Sequence, residues 1–83
     1  MTGTPQTVGP TAGTSATSTA SCAAGKVVLG GGTQVTTTAT PDKVALTASY
    51  PSATNIWTGK ATILTNLGNG NTMTVTAYAL CSL

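Results

Sequence analysis

Few side chains in this sequence could do chemistry, and their types set narrow limits. Cys22 and Cys81 are the only thiols, Asp42 is the only carboxylic side chain, and Lys26, Lys43 and Lys60 carry the basic charge; His, Glu and Arg are absent. A zinc site normally needs four Cys, His or carboxylate ligands, or three and a water, so these residues predict no metal site. A nucleophilic cysteine wants a histidine base, and the chain has none. General acid–base catalysis needs a tuned donor and acceptor, and a glycosidase pair needs two carboxylates where this chain has one. A Ser–Lys dyad built on Lys26 or Lys60 has no local support. Gly30-Gly31-Gly32 lacks both the spacing and the following helix of a phosphate loop. The expectation is a protein that is not an enzyme and carries no cofactor.

The two cysteines then have two readings. They are a structural disulfide, or they are two buried free thiols in an intracellular protein. The disulfide is favoured. Closing a loop of about sixty residues restricts the unfolded chain by roughly 4 kcal/mol, comparable to the whole stability of a small domain. Such a bridge would tie the first strand of the domain to its last.

Composition narrows the partners. Only 5% of the residues are charged and the net charge is +2, against about 25% charged residues in ordinary domains. With no Arg, one Trp and two Tyr, a nucleic-acid surface is not expected. No apolar run approaches the roughly 18 residues of a membrane helix. Residues 1–20 have neither a basic nor an apolar signal-peptide region. A chain that starts at Met and carries two cysteines suggests a complete product made in a cytoplasm and working outside it. A recombinant fragment with an added Met is the alternative.

The elements that must position these residues read as strands. Residues 1–21 are Thr, Ser, Gly, Pro and Ala apart from Gln6, with Val8 the only large apolar side chain besides Met1. Such a segment buries too little surface to offset its ordering entropy, so it reads as an extended or disordered N-terminal arm before a β-domain at 22–83. Either it is a leader, or it orders when laid on a neighbouring subunit; on both readings, removing residues 1–20 leaves the domain folded. Lys26–Leu29 reads as a short buried strand ended by Gly30–Gly32 at a bulge or turn. Thr33–Thr40 is a Thr-rich strand, and Pro41–Lys43 is turn chemistry. Val44, Leu46, Ala48 and Tyr50 alternate onto one face of a strand that Pro51-Ser52 stops. Trp57, Ala61 and Ile63 share a face, with Gly59 marking a bulge or a crowded point. Asn69-Gly70 signals a hairpin into a last strand, Thr72–Ser82. There Met73, Val75, Ala77, Ala79 and Cys81 point one way, and Thr74, Thr76, Tyr78 and Leu80 the other. No segment has helical periodicity. The fold class expected is all-β, a small antiparallel sandwich or barrel. At about sixty residues its core is marginal, so a staple or a partner subunit is needed.

Trp57, Tyr50 and Tyr78 read as core or interface anchors in preference to a sugar-stacking platform. With Val8 and Leu80 they are the candidate interface residues: Val8, Tyr50, Trp57, Tyr78 and Leu80.

Three stretches carry a resemblance. Cys22-Ala-Ala-Gly-Lys-Val-Val-Leu-Gly-Gly-Gly32 resembles a C-P-A-G-K-x-x-L-G-G-G opening, Leu46–Ser52 an S-Y-P-S middle, and Thr72–Cys81 a T-V-T-V-Y-A-x-C close. Trp57 also fits. This pattern looks like small β-domains of actinobacterial secreted and collagen-like proteins and of phage virion proteins. The chain departs from it at Ala23, where proline is usual, and at Ala77, where a larger apolar residue is common. The resemblance implies a bridged Cys22–Cys81 pair and a surface or structural role.

The function expected is that of a phage virion surface protein, a capsid decoration (minor capsid) protein that binds the major capsid protein as a homo-oligomer, with a trimer favoured. The expected location is the outer surface of the virion. The alternative is a receptor- or glycan-binding terminal module of a tail fibre or of a secreted collagen-like protein.

Overall fold

The computed structural model describes residues 1–39 and 41–82. It is a sandwich of two three-stranded antiparallel sheets, built from β1 (Gln6–Val8), β2 (Ser15–Ser21), β3 (Val28–Thr37), β4 (Val44–Ala53), β5 (Ile56–Ile63) and β6 (Met73–Cys81). One sheet has the order β1-β6-β3 and the other β2-β5-β4. The β-branched threonines and the two-residue alternation favour extended backbone throughout. The molecule is a rod of 44 × 17 × 15 Å.

The interior is thin and holds two apolar clusters. Ala16, Ala61, Ile63, Leu67, Met73 and Val75 form the first, with Val8, Val35, Ala39 and Val44 packed against it. Ala20, Cys22, Ala77 and Ala79 form the second, with Val28, Trp57 and Cys81 alongside. Fully burying side chains such as Ile63, Met73 and Val75 stabilises the fold by about 1.5–3 kcal/mol each. Beside the second cluster, Cys22 and Cys81 form a disulfide with Cα atoms 5.8 Å apart. It joins the end of the β2 segment in one sheet to the end of β6 in the other.

Several features differ from the sequence reading. Residues 1–21 are not an arm outside a domain that begins at Cys22. β1 pairs with β6, Gln6 opposite Val75 and Val8 opposite Met73. β2 pairs with β5 along its whole length, from Ser15 opposite Thr62 to Ser21 opposite Ile56. Ala16, Ser18 and Ala20 are buried between the sheets. Small side chains suffice there because a thin sandwich has no room for larger ones.

Gly30–Gly32 do not end a strand. They lie within β3, after a bulge at Leu29 where the register against β6 shifts between Val28 and Gly30. Pro51-Ser52 do not stop β4, which runs on to Ala53. β4 is an edge strand, and an edge tolerates a missing amide donor. A second bulge between Leu46 and Ala48 splits the expected Val44–Tyr50 face. Val44 and Leu46 sit opposite inward-facing Ile63 and Ala61, whereas Tyr50 sits opposite Thr58 on the outside. Asn69-Gly70 does not make a hairpin, because β5 and β6 belong to different sheets; the segment crosses between them. The two-residue hairpin is at Thr54-Asn55, between β4 and β5. Thr40 and Leu83, the last residues of an expected strand and of the expected domain, lie outside the described residues.

Candidate functional site

The middle of the sandwich is polar. Ser18, Gly59 and Ser49 lie side by side across one sheet, and Thr33 and Ala77 face them from the other. Ser18 Oγ donates to the Thr4 carbonyl at 2.8 Å and accepts from the Ala77 amide at 3.0 Å. The Thr33 and Ser49 hydroxyls share a hydrogen bond of 3.0 Å, and Trp57 Nε1–H donates to Ser49 Oγ at 3.0 Å. Thr33 can reach that position because Gly59 has no Cβ, and the Trp57 indole lies against Gly31 for the same reason. No buried side-chain nitrogen or oxygen among the described residues lacks a partner. The Ser18 and Thr33–Ser49 hydroxyls of this belt hydrogen-bond from one sheet to the other.

The structure separates the candidate interface residues. Val8 packs against the first apolar cluster and Trp57 against the second, so both are interior anchors. Tyr50, Tyr78 and Leu80 are on the surface. Tyr50 stands on the outer face of the β2-β5-β4 sheet, since its neighbour Ser49 points inward to Thr33. Tyr78 and Leu80 stand on the outer face of the other sheet, alternating with buried Ala77 and Ala79. The three aromatics are thus not brought together as a stacking platform.

What the structure does bring together is an apolar patch on the outer face of the β1-β6-β3 sheet. Tyr78 sits opposite Gly32, and Leu80 opposite Gly30. Leu80 is 64% exposed and Leu29, the bulged residue next to Gly30, is 66% exposed. The Tyr78 hydroxyl donates to Gln34 Oε1 at 2.9 Å, which holds the ring down along β3. A Cβ at Gly30 or Gly32 would meet nothing within 4 Å. The two glycines therefore floor an open notch beside the Leu80 and Tyr78 knobs. The sequence marked Tyr78 and Leu80 by their alternation. It did not mark Leu29, whose exposure follows from the bulge, nor the notch, which needs the β3–β6 register. Neither β3 nor β6 carries a charged side chain.

Among the described residues there is no enclosed cavity, and no group of three or more His, Cys, Asp or Glu side chains that could hold a metal ion. No helix is long and apolar enough to cross a membrane. No protein family, curated protein or solved structure matches this chain.

Proposed function

We propose that this chain is a binding protein of a virion surface, a capsid decoration protein that lies on the outside of the shell and stabilises it by contact. The observation that carries the reading is the outer face of the β1-β6-β3 sheet, whose strands have no charged side chain, with Tyr78 and Leu80 exposed on it. A sheet face that is hydroxyl-rich and partly apolar suits docking on another protein surface, where neighbours and not charge repulsion control association. The Cys22–Cys81 bridge suits a protein that works outside a reducing cytoplasm. The resemblance of Cys22–Gly32, Leu46–Ser52 and Thr72–Cys81 to virion β-domains points the same way. The partner is the major capsid protein, and the effect is mass action, since a ligand that binds only the assembled shell shifts it away from disassembly. Because residues 1–21 are strands of the sandwich, attachment is a task for the sheet faces and not for a free arm.

Intact-mass and copy-number proteomics on purified virions from the source sample test the reading. The expected result is an 8.1 kDa chain, lighter by the two disulfide hydrogens, in copy numbers comparable with the major capsid protein. A chain found only inside a longer polypeptide, or in a handful of copies, overturns it in favour of a tail-fibre or secreted module. That second reading draws less support here, because Tyr50 and Tyr78 lie on opposite faces and Trp57 lies between the sheets.

A further inference from the structure

We infer that the outer face of the β1-β6-β3 sheet binds the same face of a second copy of this chain, with Leu80 and Tyr78 of each copy seated on Gly30 and Gly32 of the other. The surface carries both halves of the contact. The knobs stand on β6, the notch lies on the neighbouring strand β3, and the register places them level: Leu80 beside Gly30 and Tyr78 beside Gly32. Consider a two-fold axis parallel to the strands and between β3 and β6. Rotation about it leaves the position along the strand unchanged and exchanges the two strands. Leu80 of one copy then stands over Gly30 of the other, Tyr78 over Gly32, and the reverse contacts form at the same time. That is the self-complementarity an isologous interface requires.

Three further observations fit a second copy. The notch has room, since nothing lies within 4 Å of a Cβ built on Gly30 or Gly32. Charge does not oppose the contact, since β3 and β6 have no charged side chain, whereas the opposite sheet carries Lys60. The area is adequate for a reversible dimer. A side of the rod is bounded by 44 × 17 Å, so a contact confined to one face stays below roughly 750 Å² per partner, in the range of a weak, reversible dimer and not of an obligate one. The arrangement is a pairwise one in place of the trimer expected from the sequence. The pairing uses the face on which the capsid reading rests, so it is a state of the free chain that docking on a shell would displace, and it is measured on the purified chain alone.

The experiment is sedimentation equilibrium on the full-length, disulfide-closed protein up to about 100 μM, a range suited to an interface of this size. Alongside it are the variants Leu80→Lys, Gly30→Asp and Tyr50→Ser, with folding of each checked by circular dichroism. The expected result is reversible association of the parent chain to twice its 8.1 kDa mass. Leu80→Lys and Gly30→Asp are each expected to weaken it by at least about 30-fold, the effect of losing an interface hot spot. Tyr50→Ser, on the other sheet, should leave it unchanged. Mixing Leu80→Lys with Gly30→Asp should restore a mixed pair, because the new Lys meets the new Asp across the two-fold axis. A parent chain that stays at 8.1 kDa throughout overturns the inference. So does association that survives Leu80→Lys but is lost with Tyr50→Ser, a trimer, or a mixture of the two charged variants that fails to associate although both are folded.

Discussion

Ser18 Oγ takes the place of a backbone partner for Ala77, accepting its amide hydrogen at 3.0 Å while donating to the Thr4 carbonyl at 2.8 Å. The N-terminal segment follows β6 on both sides of this point. Gly3 donates to the Ala77 carbonyl and Ala79 to the Met1 carbonyl, and β1 resumes the ladder at Gln6 opposite Val75. Between them, at Thr4-Pro5, the direct ladder is interrupted, and a hydroxyl from the opposite sheet fills the gap. Ser18 is 1% exposed, so water cannot take its place. Ser18→Ala leaves an amide and a carbonyl short of a partner, each at a cost of about 1–3 kcal/mol. The expected loss is about 2 kcal/mol, which lowers the melting temperature by roughly 10 °C in a domain of this size. Ser15→Ala is the control. Its hydroxyl bonds Thr62 at an exposed position, and the change should stay within about 0.5 kcal/mol. Equal melting of the two variants by calorimetry would sink this account of the belt.

The disulfide spans 59 residues of sequence and closes a rod whose buried core contains many alanines. By the chain-entropy argument its removal costs roughly 4 kcal/mol, a large part of the total stability expected of a small domain. Reduction, or the double substitution Cys22→Ser with Cys81→Ser, should lower the melting temperature by about 15–30 °C. Thermal melts with and without reductant check this, and coincident curves would contradict it.

Glycines in this sandwich have unequal roles. A Cβ at Gly59 would run into the Thr33 side chain, which is itself fixed by its bond to Ser49. Gly59→Ala should therefore cost about 1–3 kcal/mol through overpacking. Gly30 has open space where its Cβ would stand and no positive φ. Gly30→Ala should be neutral or stabilising by up to about 1 kcal/mol, since it restricts only the unfolded chain. Urea unfolding at dilute protein concentration separates the two, and the opposite order of stability would refute the packing argument.

Removing N-terminal residues should affect folding, not only attachment. Deletion of residues 1–21 strips β2 from its sheet along with buried Ala16, Ser18 and Ala20, and the remaining chain should be unfolded by circular dichroism. Deletion of residues 1–8 removes β1 and the packing of Val8. It leaves β6 as an unpaired edge, which should make the protein less stable and prone to strand-edge aggregation. A truncated chain 22–83 that gives a dispersed, native-like NMR spectrum would show that the N-terminal strands are dispensable.

Sequence alone determined the parts that depend on local alternation and on residue inventory. Met73, Val75, Ala77 and Ala79 are inward on β6 because a strand repeats every two residues and these four are apolar. Trp57, Ala61 and Ile63 follow the same rule on β5, and Gly59 stood out as a bulge or a crowded point, of which the structure has the second. The cysteine pair was legible as the favoured of two readings, a bridge or two free thiols, and the structure has the bridge. Tertiary structure decided whatever depends on which strands are neighbours. Residues 15–21 have no large apolar side chain, and their burial exists only because β5, some forty residues away in sequence, lines up with them rung by rung. Asn69-Gly70 has hairpin composition, yet the flanking strands pair with different partners, and no local signal carries that choice. The knob and notch of Leu80 and Gly30 likewise depend on one bulge at Leu29 setting the β3–β6 register. Composition places an apolar side chain on a face, but only the pairing of distant strands places an open glycine beside it.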